Sequence, residues 1–308
     1  YSGGASCPSL LLEPQRTNVL TFSEYFESSI YDLSSNITRT LSSTLSPEGK
    51  LNAYKITPNT TNTNHQFRAP NLGGFTSGAV VSSSFFAKAN GYKYISVVGG
   101  FGSSSTPAVV FDLEQGVIDS GGDNGDIESY GNGWYRCTAR ITLGGTALYC
   151  VGTILNDDKL GSFAGDGVKG IEAYGWQIEE GSYPTSYIPT MGSAVTRSYD
   201  VFAKTNASSI INSEEGTAFV DFTLNGLTNF GTPLSLNNGS QSNYIWLTIF
   251  GNGILRAEVW NGSVQAQIVY SGAVVGGRYK MAFGYAQNDF VLYVNGTQVG
   301  TGNSGATF

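Results

Sequence analysis

Charge is what this sequence most lacks. Only 13% of its 308 residues are Asp, Glu, Lys or Arg, about half the share of an ordinary soluble domain. The 16 basic and 23 acidic residues leave a net charge of −7, and no Lys/Arg run occurs. That argues against a nucleic-acid partner, because such binding is carried mainly by phosphate neutralisation. Long apolar runs are missing as well. None approaches the ~20 residues needed to cross a bilayer, so no membrane insertion is expected. Ala, Leu, Glu and Lys are scarce for a protein built of helices. The chain opens at Tyr1 with neither an initiator Met nor a signal segment, which reads as a processed chain or a piece of a longer one.

Catalytic signals are equally thin. There is a single histidine, His65, in a polar run that reads as a solvated loop, and no G-x-S-x-G elbow. Glycoside hydrolysis needs two carboxylates roughly 5–10 Å apart. Glu179 and Glu180 are adjacent, as are Asp157 and Asp158, so on a strand each pair splits between faces. The expectation is a protein that is not an enzyme. The three cysteines, Cys7, Cys137 and Cys150, are too few for a disulfide framework and lack metal-ligand spacing. Cys137 and Cys150 could sit on neighbouring strands as a bridge; the other reading is buried small apolar residues.

What the chain has is glycine, 41 residues, and aromatics at 13%. The aromatics argue against disorder. Short alternating segments stand between Gly, Asn and Ser clusters. Val80–Lys88, Tyr92–Val98, Ala108–Leu113, Trp134–Thr142, Ala147–Leu155 and Gly170–Glu179 read as strands, with a hairpin expected across Gly144 and Gly145. In Gly170–Glu179, simple alternation puts Ile171, Ala173, Gly175 and Gln177 on one face and Glu172, Tyr174, Trp176 and Ile178 on the other. A second series covers Ala218–Leu224, Asn243–Phe250, Ile254–Trp260, Val264–Tyr270, Arg278–Tyr285 and Phe290–Val294. Asn252-Gly253, Asn261-Gly262 and Asn295-Gly296 supply positive φ for its tight turns. The fold class is therefore all-β, two antiparallel β-sandwiches in tandem. The divisions are an extended lead-in over 1–17, a first sandwich over 18–193, a linker over 194–212 and a second sandwich over 213–308. The second would normally need more strands and reads as cut short at its C-terminus. Tyr183–Thr190, with Pro184 and Pro189, reads as an extended arm linking the first domain to its neighbour.

Two segments carry a family signal. GNGWYRC (Gly131–Cys137) and YGWQIEEGSYPTSYIPTMGSAVTR (Tyr174–Arg197) stand with SCPSLLLEPQRTNVL (Ser6–Leu20) and FFAKANGYKYISV (Phe85–Val97) upstream. Together they resemble a module of bacteriophage tail and other virion structural proteins, itself similar to carbohydrate-binding-module jelly rolls. FVLYVNGTQVGT (Phe290–Thr301) is similar to concanavalin A-like, laminin-G-like sandwiches. The resemblance implies a virion or extracellular attachment role, as in a tail fibre. It implies other virion proteins as partners and a homo-oligomer, often a trimer, and it transfers no catalytic residue.

Carbohydrate is the ligand that composition favours: aromatic faces with a few placed polar groups. In the second domain the candidates are Trp260, beside its turn, with Tyr244 and Trp246. In the first, His65, Gln66 and Arg68 beside Phe67 could line a groove, and Tyr92 and Tyr94 share a face with Lys93 opposite. Trp134, Tyr135, Tyr174 and Trp176 read chiefly as packing residues. No cofactor is required. Asp123 and Asp126 in one Gly-rich loop, and Asp157 and Asp158 in another, are candidate ligands for structural calcium; otherwise they are turn residues. Two other readings stand beside the glycan binder: a spacer without ligand, and a fragment of a polysaccharide depolymerase.

Overall fold

The computed structural model describes residues 10–101, 104–105, 108–224 and 230–308; Cys7 and most of the lead-in lie outside the described residues. Among these the chain is all-β, with 3-10 turns at Ser29–Tyr31 and Gly122–Asn124 and no α-helix. Two compact units divide it, Tyr1–Val201 and Phe202–Phe308.

The first unit holds β1 (Arg16–Asn18), β2 (Ile37–Leu41), β3 (Tyr54–Pro58), β4 (Thr63–Arg68), β5 (Leu72–Gly73), β6 (Val80–Asn90), β7 (Tyr94–Phe101), β8 (Ser104–Ser105), β9 (Val109–Asp112), β10 (Val117–Ser120), β11 (Gly125–Gly131), β12 (Trp134–Thr142), β13 (Ala147–Leu155), β14 (Ser162–Phe163), β15 (Gly170–Glu180) and β16 (Val195–Arg197). One sheet runs β10-β9-β7-β13-β4-β14 and the other β11-β12-β6-β15-β3-β2, antiparallel throughout. The chain passes repeatedly from one sheet to the other, as in a jelly roll. Between the sheets lie Ile56, Phe85, Cys137, Ile141 and Trp176 from one side and Phe67, Ile95, Phe111, Leu148 and Cys150 from the other.

Three local expectations are corrected here. The segments Trp134–Thr142 and Ala147–Leu155 are both strands, but they do not form a hairpin. β12 pairs with β11 and β6, whereas β13 pairs with β7, β4 and β5 in the facing sheet. The link between them is pinned across the core edge: Leu143 N–H donates to Ala79 O at 2.9 Å, and Gly78 N–H to Leu143 O at 2.8 Å. Leu143 itself is buried, so the turn crosses the sandwich instead of reversing within a sheet.

The second correction concerns β15. Tyr174 pairs with Phe86 and Gln177 with Ser84, so β15 spends three residues where β6 spends two. The extra residue sits at Gly175, whose φ of +61° is open to glycine at little cost. The bulge inverts the alternation beyond it. Ile171, Ala173, Trp176 and Ile178 share the core face, while Tyr174 joins Phe86, Trp134 and Ala53 in a second cluster.

The third is Tyr183–Thr190, which straps its own unit. Thr185 N–H and Oγ1 donate to Glu179 at 2.8 and 2.6 Å, and Ile188 N–H donates to the Gln177 side chain at 2.6 Å. Tyr187 Oη donates to Ser23 Oγ at 2.8 Å. The strap covers the outer side of the β6/β12/β15 sheet, which explains why β15 is buried on both faces. Part of the stretch read as linker, Val195–Arg197, is a strand paired with β1.

Cys137 and Cys150 lie on facing sheets and are free thiols in the core. The Cys150 thiol donates to Ser83 Oγ at 3.3 Å. Burial pushes Cys150 up to about 11 and Cys137 further still, so neither forms thiolate at ordinary pH. Iodoacetamide at mildly alkaline pH is expected to leave both peptides unmodified in the folded protein and to label both in denaturant. Native-state labelling of either, read by peptide mass mapping, would contradict the closed core.

The second unit holds β17 (Glu215–Thr223), β18 (Phe230–Asn237), β19 (Asn243–Phe250), β20 (Ile254–Asn261), β21 (Val264–Ser271), β22 (Arg278–Ala286), β23 (Asp289–Val294) and β24 (Thr297–Gly302). They form the sheets β17-β22-β23-β24 and β18-β19-β20-β21, which close on Leu247, Leu255, Val259, Met281, Phe283, Phe290 and Leu292. Phe308 packs against this core and meets Tyr285 edge-on. The turn glycines Gly253, Gly262 and Gly296 all have positive φ, but among their Asn partners only Asn295 does. Asn295-Gly296 is thus the two-residue primed turn. In the other two hairpins only the glycine of the Asn-Gly pair takes positive φ.

Candidate functional site

The sheet β18-β19-β20-β21 turns Ile245, Leu247, Leu255, Ala257, Val259, Ala266 and Ile268 into the core. Strand alternation then sends Tyr244, Trp246, Thr248, Arg256, Glu258, Trp260 and Gln267 to its other side. Pairing register sets them in rows: Asn237, Tyr244, Trp260 and Val264 in one, Ser235, Trp246, Glu258 and Gln267 in the next, then Thr248, Arg256 and Val269. A bulge between Val259 and Trp260 brings Val264 opposite the indole.

Aromatic stacking shapes the first two rows. Tyr244 and Trp246 lie with centroids 3.8 Å apart and planes 15° apart, and Tyr244 and Trp260 at 6.1 Å and 8°. Tyr244 is screened to 6% exposure, while both indoles remain half-buried. The three candidates named from the sequence therefore form one near-parallel set, with Trp246 and Trp260 its accessible members.

Beside them stands a carboxylate that sequence reasoning missed. Glu258 accepts from Tyr244 Oη at 2.9 Å and Gln267 Nε2 at 2.6 Å, with Arg256 Nη1 at 3.5 Å. Arg256 lies over the Phe250 ring at 4.7 Å, and its buried Nε has no hydrogen-bond partner. The signal was legible: Arg256, Glu258 and Trp260 alternate with core residues, so the strand carrying Trp260 had to carry them on the same face. Chemically the patch offers two part-exposed ring surfaces and a part-buried cation, set over a buried carboxylate whose two oxygens are held by Tyr244, Gln267 and Arg256. Glu258 is the one carboxylate among the described residues of that face, so paired-carboxylate hydrolysis has no second group there.

Burial first, then the bond to Glu258 and its charge, pushes Tyr244 up to about 12. An unfolded tyrosine ionises near 10. The raised value means this contribution to stability is complete below about pH 10 and is lost as pH climbs from there toward 12. Unfolding of the second unit, followed by calorimetry, is expected to weaken over that window. Tyr244→Phe should flatten the fall, and an identical slope in that variant would contradict the assignment.

The first-unit candidates are dispersed. His65 is buried on β4, its ring tilted against that of Phe163 with centroids 4.6 Å apart, with Nδ1 2.7 Å from Asn36 O and Nε2 2.8 Å from Phe163 O. It is a core residue tying two loops, not a solvated one. Gln66 and Arg68 alternate to the opposite face, where Arg68 donates to Asn71 and lies over Tyr149. The three therefore line no common groove. Tyr92 is a core residue against Phe163; Tyr94 is buried under Lys93 and Lys159. Because β7 begins only at Tyr94, the two tyrosines do not share an exposed face. Trp134 and Trp176 are buried, their indole N–H groups donating to Leu45 O and Ser83 Oγ, each at 2.9 Å.

Of the acidic loop residues, Asp126 pairs with Arg140, and Asp123, Asp157 and Asp158 are exposed. Among the described residues no three Asp, Glu, His or Cys side chains gather at one point.

No family model matches the chain, and no curated protein matches it. Among solved structures it is similar to domains LG4-5 of the mouse laminin alpha1 chain, at 12% identity over 81% of this chain and 76% of that one, with a TM-score of 0.21. A likeness at that score carries no argument.

Proposed function

We propose that the chain is a non-enzymatic binding protein and that the outer face of β19 and β20 takes a glycan. The observation that carries this reading is the pairing of two part-exposed, near-parallel indoles with an oriented carboxylate on one sheet face. Indole faces suit the C–H surface of a pyranose, the Arg256 guanidinium suits its hydroxyls, and buried Glu258 holds both in place through Tyr244 and Arg256. A shallow face of this size gives weak monovalent affinity, and an oligomer would raise it by avidity. The wider reading, an attachment component of a virion or an extracellular appendage, is supported by the sequence resemblance alone.

The test is a glycan array probed with the purified chain, with calcium and again with chelator. Binding to a defined set of oligosaccharides is expected in both conditions, because Glu258 is already held by Tyr244, Gln267 and Arg256. A folded chain that binds nothing would favour the spacer reading. Signal lost on chelation would move the site to the acidic loops of the first unit.

A further inference from the structure

We infer a second, separate ligand site in the first unit, built around Arg16 and suited to a sugar that bears a carboxylate. An open cavity of about 430 Å³ is lined by Gln15, Arg16, Thr17, Phe75 and Glu180, with the bare backbone of Gly73 and Gly74 beside them.

Its wall is fixed. Asn18, fully buried, donates through Nδ2 to Ile188 O at 2.8 Å and accepts from Ile178 N–H at 3.1 Å. Thr17 and Thr196 hydroxyls meet at 2.7 Å. These contacts hold β1 in place and with it the base of Arg16. The guanidinium lies over the Tyr183 ring at 5.4 Å. It runs so close to Gly181 that a Cβ there would stand 2.7 Å from Nη2.

Despite this fixed position, Arg16 has no acid. Its Nε is buried without a partner, and among the described residues its guanidinium forms no ion pair. Its cross-strand neighbour is a second cation, Arg197, an arrangement that is unfavourable by itself. Glu13 is taken by Arg197 at 2.7 Å and by Ser186 N–H at 2.7 Å. Glu180 lines the same cavity yet makes no ion pair with Arg16. An unanswered guanidinium and an unpaired carboxylate thus face one cavity.

A bare anion would satisfy the guanidinium and be repelled by Glu180. A carboxylated sugar satisfies both: its carboxylate takes the planar fork of Arg16, and its hydroxyls donate to Glu180. Gln15 and Thr17 also line the cavity, and Phe75 gives it an apolar edge. This site does not depend on the sheet face of the second unit.

The experiment is an NMR titration of the full chain with sodium glucuronate, glucose and sodium acetate, following backbone amides and the Arg Nε–H signals. Glucuronate is expected to shift Arg16, Gly73, Gly74 and Gly181, with a Kd on the order of 1 mM. Glucose and acetate should each bind at least about tenfold more weakly. Arg16→Gln should abolish the shifts and Arg16→Lys, which keeps charge without the fork, should weaken them, both with unchanged core resonances. Trp246→Ala should leave them intact. Absence of these shifts, or their persistence in Arg16→Gln, would overturn the site; acetate binding as well as glucuronate would overturn the sugar.

Discussion

Trp246→Ala is expected to weaken glycan retention by roughly 30-fold while the second unit stays folded. The magnitude follows from the removal of a central aromatic anchor, which typically costs about 2 kcal/mol or more, at about 1.4 kcal/mol per tenfold. Trp246 stands on the outer face with Ser235 and Glu258 as its cross-strand neighbours, so truncation opens no cavity in the core. Its ring also screens Tyr244. Part of the loss therefore comes through a freer tyrosine and a less firmly held Glu258. Glu258→Gln separates the two effects. It keeps the rings and an acceptor, and it should cost less than the tryptophan. Equal array signal from wild type and Trp246→Ala would remove this face from consideration.

Glu179→Ala should be the most damaging single substitution of a polar residue in the first unit. The carboxylate is fully buried and accepts from Thr185 N–H, Thr185 Oγ1 and Gln177 Nε2. Removing it orphans the two Thr185 donors, leaves Gln177 Nε2 with only Thr185 O, and loosens the strap from β15. Arg136, whose Nη2 donates to Thr185 O at 2.6 Å, then loses the fixed position of its acceptor. Breaking such a buried charged network costs about 3–5 kcal/mol, or roughly 10 °C in Tm for a unit of this size. Calorimetry of the whole chain should show the first unit's transition falling while the second unit's stays in place. Glu179→Gln, which retains one acceptor, should fall by less. An unshifted transition in Glu179→Ala would mean that the strap contributes no stability.

Strand positions were legible where β-branched and aromatic residues gather between turn residues. Asn243–Phe250, Trp134–Thr142 and Ala147–Leu155 are strands with those same ends, because each is a run of strand-favouring residues bounded by Gly and Asn turns. Ile37–Leu41, Tyr54–Pro58 and Thr63–Arg68 were not legible, being short and set in Asn- and Thr-rich surroundings. Pairing was less accessible than position. Whether Gly144-Gly145 reverses a strand or crosses the sandwich is decided by where Leu143 is buried, a tertiary fact. Gly175 shows a second limit: one residue in the left-handed region inverts the facing of everything after it, and a glycine in a strand does not announce whether it will do so.

The sites divide in the same way. The aromatic members of the second-unit face were named because tryptophan and tyrosine are conspicuous, and period-two alternation would have added Glu258 and Arg256. The Arg16 cavity had no sequence signal, since Arg16 reaches Tyr183 and Gly181, and shares a cavity with Glu180, only across long sequence separations. His65, Gln66 and Arg68 failed as a group because adjacent strand residues point opposite ways.

The most direct test of the glycan-binding face uses the four indole N–H signals of ¹⁵N-labelled protein. Trp134 and Trp176 have theirs committed to buried acceptors in the first unit; Trp246 and Trp260 stand half-buried in the second. Titration with the strongest array ligand should move the Trp246 and Trp260 signals together, saturably, and leave the other two still. Binding that leaves Trp246 and Trp260 unmoved would contradict the account.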